Sequence, residues 1–221
     1  MTNNLRHRYG TAGFALLISM SLLSGCTPAQ QYPGDKKTGT YFTAPTSWKV
    51  ITEKDLSATE SHSTSTGAAE RLSEVLWQKA LTPSPTISAK DVYSLRTPKA
   101  PIAYVRVRSL SMDEINSISY NQLRDSIYPI TTWLADTASS PKNFTLLDDL
   151  ERVEKGARGV QTIFTVAGSD GTLEYVNQTA LVSTDRSTIF ILLIRSSEAE
   201  YERSKKLLEK IADSFTVRGN K

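Results

Sequence analysis

Catalysis needs particular side chains held close together, and this chain offers few of them. It has two histidines, His7 and His62, and one cysteine, Cys26. A zinc site or a nucleophile–base pair needs companions that one body histidine lacks. The hydroxyl-rich run Ser61-His62-Ser63-Thr64-Ser65-Thr66 has no Gly-x-Ser-x-Gly elbow, and no Ser-x-x-Lys with its partner motifs occurs. It reads as a solvated loop. Asp148, Asp149, Glu151 and Glu154 invite a glycoside-hydrolase reading, since two carboxylates flank the bond in such enzymes. Arg152, Lys155 and Arg158 lie among them, so a neutralised surface ladder is the better reading. No run alternates Asp or Asn before a closing Glu as a calcium loop does. The expectation is no catalytic residue, no cofactor and no metal. What remains is Tyr104, Arg106 and Arg108, which share one face of an alternating strand. If that face opens into a groove, the guanidiniums could grip a carboxylate or phosphate. On an edge strand they would simply be its solvent side.

The charge balance narrows the partners. The 221 residues carry 26 basic and 23 acidic side chains, a net charge of +3, well interspersed. Nothing there supplies the basic surplus that phosphate backbones select, so no nucleic-acid partner is expected. With 39% hydrophobic residues the chain can build a core, and its length suits one domain.

The N-terminus explains the cysteine. Arg6, His7 and Arg8 precede a 12-residue apolar run at 12–23, the size of a signal-peptide core and too short to span a bilayer. Leu23-Ser24-Gly25-Cys26 follows, and this resembles a bacterial lipobox. The resemblance implies acylation of Cys26, cleavage after Gly25, and a mature chain held in the membrane by its N-terminal lipid. Residues 1–25 are then a lipoprotein signal peptide. Residues 26–40, rich in Pro, Gly, Thr and Lys, read as a lipidated flexible tether. Residues 41–218 are taken as one domain on the extracytoplasmic face of the cell membrane.

Within that domain, Tyr41-Phe42-Thr43-Ala44-Pro45 and Trp48-Lys49-Val50-Ile51 read as two strands around a turn. Residues 53–66 read as an exposed loop. The spacing of Ala69, Leu72, Val75, Leu76 and Ala80 predicts a helix over 68–80. Residues 82–101 hold four prolines and, apart from 91–95, read as irregular. Residues 103–108 alternate as a half-buried strand. Ser111 and Glu114 match a capping box that opens a helix carrying Ile115, Ile118, Leu123 and Ile127, ended by Pro129. Residues 144–153, 160–167, 173–183 and 188–195 read as four strands with connections short enough to force antiparallel pairing. The unbroken apolar run 189–194 predicts a central strand covered on both faces. Leu207, Leu208, Ile211 and Phe215 give the last helix the stripe that would cover one of them.

This order of elements resembles the PsbP-like fold. The resemblance rests on the opening aromatic strand 41–45 with nearby Trp48, on a helix before a four-strand meander, and on the ending Ile211-Ala-Asp-Ser214-Phe215. It implies an α+β, α/β/α sandwich: an antiparallel sheet covered by helices on both faces. Domains of this kind serve as binding or assembly modules, and fold alone names no partner. The expected function is therefore a non-enzymatic, membrane-anchored envelope lipoprotein that binds another envelope protein or a small apolar ligand. The alternatives are a lipid carrier with an internal cavity and a cell-wall hydrolase with an unrecognised site. An open, lined pocket would favour the carrier, and a flat apolar patch a protein partner.

Overall fold

The computed structural model describes residues 29–64 and 67–218. The signal peptide, Cys26 and the end of the hydroxyl-rich run lie outside the described residues. Four two-residue strands come first: β1 (Gln30–Gln31), β2 (Gly34–Asp35), β3 (Thr40–Tyr41) and β4 (Ala44–Pro45). Then come β5 (Lys49–Ile51), α1 (Glu53–Ser61), α2 (Ala68–Ser73), β6 (Val75–Thr82), α3 (Ala89–Val92) and β7 (Ile102–Ser109). The helices α4 (Met112–Ser117), α5 (Tyr120–Arg124) and α6 (Ile130–Ala135) lead to β8 (Thr145–Val153), β9 (Ala157–Ala167), β10 (Leu173–Ser183) and β11 (Thr188–Ser197). The long helix α7 (Glu198–Asp213) and β12 (Thr216–Val217) close the body.

One antiparallel sheet of seven strands, in the order β5-β6-β7-β11-β10-β9-β8, carries the fold. The apolar strand β11 lies at its middle, as its composition requires. Alternate residues of β11 serve opposite layers. Phe190, Leu192 and Ile194 pack with Tyr201, Leu208, Ile211 and Phe215 from the terminal helix and its exit. On the other face Leu193 joins Leu56 of α1, Val92 of α3 and Ile130 of α6, while Ile189 and Ile191 join Leu123 of α5. The expected α+β sandwich with helices on both faces is what forms.

Three local expectations fail. Residues 53–61 are helical, not an exposed loop. Thr52 and Asp55 form a capping box in which each side chain accepts from the other's backbone N–H. Leu56 is fully buried although the segment has almost no apolar stripe. The predicted helix over 68–80 stops at Ser73, and 75–82 is a strand paired on both sides. Short apolar runs suit either state, and here two neighbouring strands decide. The predicted helix from Ser111 splits, because Ile118 turns to extended backbone and Ser119 caps a new start at Tyr120.

The segment expected as a flexible tether is also paired. Gln31 lies opposite Ala44, and Gly34 opposite Tyr41. The Gln31 side-chain amide donates to the Pro45 and Trp48 carbonyls at 2.8 and 3.0 Å. A Cβ on Gly34 would sit 2.3 Å from the Tyr41 ring, so only glycine fits this approach. Glycine and proline here shape a tight path rather than a slack one.

The terminal helix is the cover of one sheet face, so truncating its buried residues should destabilise the whole body. Ile211→Ala and Phe215→Ala should each cost about 2–5 kcal/mol in urea unfolding. Glu202→Ala, on the exposed side of the same helix, should leave the midpoint unchanged.

Candidate functional site

On the face away from α7 the helices do not close over the sheet. They leave a cavity of about 900 Å³. Its floor is Tyr104 of β7 with Ile191 and Leu193 of β11. α1 and α2 make one wall. The segment Val92 to Leu95 makes a second, and Ile127, Tyr128, Pro129 and Trp133 make the third. The aromatic wall is stiffened from behind. Tyr128 meets Phe164 edge-on at 5.3 Å between centroids, and Trp133 meets Phe144 at 5.1 Å. Burial pushes the Tyr128 phenol up to about 12, so it stays neutral.

Three arginines rise from this sheet face, and each is tied to a wall. Arg106 stands beside Tyr104 on β7, which is an inner strand, third of seven, and not an edge. Its Nη1 donates to both Glu60 oxygens at 3.0 Å, and its Nη2 to the Arg71 carbonyl at 2.9 Å. One guanidinium thus pins both α1 and the end of α2. Glu60 and Arg106 are each about nine-tenths buried. A polar chain continues from them. The Tyr104 hydroxyl accepts from Arg106 at 3.4 Å and donates to Gln78 at 2.8 Å. Tyr93 donates to the same Gln78 oxygen at 3.1 Å, and the Gln78 amide donates to Ser57 of α1 at 3.2 Å. Burial raises both phenols above their ordinary values, which keeps them as neutral donors.

Arg108 does the same at the end of the strand. It holds Glu114 of α4 through Nη1 and Nη2 at 3.0 and 2.6 Å, and Glu74 after α2 at 3.3 Å. These hydrogen bonds, with the Ser111 N–H adding to them, hold the Glu114 carboxyl down at about 2. Arg195, at the end of β11, pins the second wall. It donates to both Glu174 oxygens and to the carbonyls of Val92, Ser94 and Arg96, so each of its five N–H groups is used. Burial raises the Glu174 carboxyl while the guanidinium draws it back.

The structure brings Tyr104, Arg106 and Arg108 to one groove, with both guanidiniums paired to glutamates of the chain. Neither guanidinium is left for a ligand's carboxylate or phosphate, because the chain's own glutamates occupy them. An anion at Arg106 would have to expel Glu60 and leave it buried and uncompensated. Their task is to position the walls. Sequence reasoning missed Glu60, Glu174 and Arg195, and the aromatic wall of Tyr128 and Trp133. One signal was present: an arginine ending an unbroken apolar strand must be buried, and a buried charge needs a partner elsewhere.

The other sequence candidates do not converge on the cavity. His62 is exposed at the end of α1, with Nδ1 2.5 Å from the Ala58 carbonyl. The acidic run lies on the far edge strand β8. There Asp149 pairs with Arg124 at 2.8 Å, Glu154 pairs with Arg152 at 3.3 Å, and Glu151 accepts from Tyr120 at 2.5 Å. Among the described residues no cluster of His, Cys, Asp or Glu could hold a metal ion.

No family model matches the chain, and no curated protein does. Among solved structures it is similar to cyanobacterial PsbP from Synechocystis sp. PCC 6803, at 16% identity and a TM-score of 0.47, covering 94% of this chain and 98% of that one. It is also similar to LpqN, involved in cell envelope biogenesis in Mycobacterium tuberculosis, at 11% identity and a TM-score of 0.47 over 86% and 91% of the two chains. A third likeness is to the Saccharomyces cerevisiae Ran-binding protein Mog1p, at 9% identity and a TM-score of 0.44 over 87% and 97%. These likenesses are of fold.

Two consequences of the pinned walls are measurable. Arg195→Met leaves Glu174 buried and unpaired, so it should cost about 3–5 kcal/mol in urea unfolding, and adding Glu174→Leu should recover part of that loss. The second concerns acid. Glu114 titrates at about 2 when folded and at roughly 4.3 when unfolded. Its contribution is therefore full above the unfolded value and disappears as pH falls through the folded one. Glu114→Gln should melt below the wild type at pH 7, and the gap should close as the pH is lowered from about 4.3 to about 2. A gap that stays constant across that range contradicts the pairing with Arg108.

Proposed function

We propose that this chain is an envelope lipoprotein, acylated on Cys26, whose body holds a small apolar ligand in the cavity between sheet and helices. The observation that carries the reading is the cavity itself. At about 900 Å³ it lies within the range of small-molecule sites, and it has an apolar floor and an aromatic wall. In its lining Glu60, Glu74, Glu114, Arg106, Arg108 and Arg195 are paired within the chain, so the main driving force for binding is removal of apolar surface from water. Hydroxyls at Ser94 and Ser126 lie in the lining and could orient a polar end. Hydrolysis fits less well. Glu60, Glu74 and Glu114 in the cavity lining are each tied to an arginine, an arrangement that favours the ionised form over a proton donor.

The paired N-terminal segment adds a spatial constraint to the lipid anchor. The Ala29 carbonyl accepts from the Thr46 N–H at 2.8 Å, so the folded body begins within three residues of Cys26. At roughly 3.3–3.6 Å per residue, Ala29 lies about 10 Å along the chain from the acylated position. A body held this close stands at the membrane surface, within reach of apolar molecules that leave or enter the bilayer.

Two experiments test the two halves. Protein purified from its own membranes should release a bound apolar compound on organic extraction. Leu193→Trp, which fills the floor at a cost of about 1–3 kcal/mol, should fold but release none. Equal yields from both would remove the cavity from the account. Separately, the wild type should partition into detergent and Cys26→Ala into water. Equal partitioning would remove the anchor.

A further inference from the structure

The two edges of the seven-stranded sheet are unlike. β5 is three residues long, whereas β8 at the opposite edge has nine. A long free edge presents unpaired backbone N–H and C=O groups to any second strand. Along β8, Leu147, Leu150 and Val153 are 52%, 46% and 73% exposed. Apolar residues on an uncovered edge suit a partner strand better than they suit water.

We propose that β8 pairs antiparallel with β8 of a second copy, on a two-fold axis through Leu150, so that the two sheets become one. The charges along the strand select this register. A regular antiparallel ladder sets residues of the same parity opposite each other, so the axis must pass through a residue. Through 148, 149, 151 or 152 it would set Asp, Asp, Glu or Arg against its own copy, and like charges directly opposite are destabilising. Leu150 is the one neutral residue from 148 to 152. With the axis there, Leu150 meets Leu150 and Asp148 meets Arg152 twice. Val153 then lies by Leu147, which sits at the register shift in β8.

The remaining pair, Asp149 opposite Glu151, occurs twice and is the one like-charge contact of this register, softened because Arg124 neutralises Asp149. Asp149 takes Arg124 at 2.8 Å, and Glu151 accepts from Tyr120 at 2.5 Å. Arg152 donates to Gln161, Glu154 and the Phe215 carbonyl, which fixes it in place on the same strand face as Leu150. Asp148 makes no ion pair among the described residues, and this register gives it one. The inference is independent of the cavity and of the anchor.

Cysteine crosslinking in the full-length chain in its membrane tests it. Cα atoms directly opposite in such a ladder are about 4.5–5.5 Å apart, within disulfide reach. Leu150→Cys under mild oxidation should give a disulfide-linked dimer as its main product, whereas wild type and Thr145→Cys should stay monomeric. In this register the two Thr145 residues are about 30 Å apart. Adding Asp148→Lys to Leu150→Cys sets lysine against Arg152 and should sharply reduce the dimer. Absence of the Leu150→Cys dimer, equal crosslinking by Thr145→Cys, or a Leu150→Cys adduct only with a different protein would each overturn the pairing.

Discussion

Three guanidiniums stand on one largely buried face of the sheet, and the walls over that face are arranged around their need for acceptors. A buried arginine cannot shed its proton, so oxygen must be brought to it. For Arg106 the oxygens come from α1 and the end of α2, for Arg108 from Glu74 and the first turn of α4, and for Arg195 from Glu174 and the stretch from Val92 to Arg96. Apart from Glu174 on β10, each source is a connection between strands. The arginines thus settle where the walls stand. The cavity is the space left between walls held by charge and a floor made by Ile191 and Leu193.

That division explains which parts of the fold could be read from the residues. The strands from β9 to β11 were legible because their signals are local. Asp170 and Gly171 make the turn, with Gly171 at a φ of +77°, and β10 spans the 173–183 expected from the sequence. The terminal helix was legible from its stripe. By contrast α1 has one buried leucine and one buried glutamate, and what holds it lies on a strand 46 positions away. β6 carries a helical spacing that its two neighbouring strands overrule. The N-terminal tether looked slack because glycine and proline mark both loose chain and tight packing, and only the Tyr41 ring against Gly34 separates the two.

The site was half legible for the same reason. Alternation placed Tyr104, Arg106 and Arg108 on one face, and the structure puts that face in a groove. Their partners come from elements the sequence pattern did not reveal, so the pairing of these guanidiniums with Glu60, Glu74 and Glu114 was out of sight. On the proposed function, with the guanidiniums taken, recognition in the groove falls to shape and apolar area. This moves the balance between the expected partners towards a small apolar ligand, and it leaves the exposed edge at β8 as the surface suited to another polypeptide.

The arginine anchors are the central claim, and native-state hydrogen exchange tests them residue by residue. In Arg106→Met the amides of α1 and α2 should exchange faster, because local opening no longer has to break a buried ion pair. Those of β9 and β10, whose pairing does not involve Arg106, should keep their protection. Unchanged exchange in both helices, or equal acceleration through helices and sheet alike, would contradict the view that this guanidinium holds one wall of the cavity.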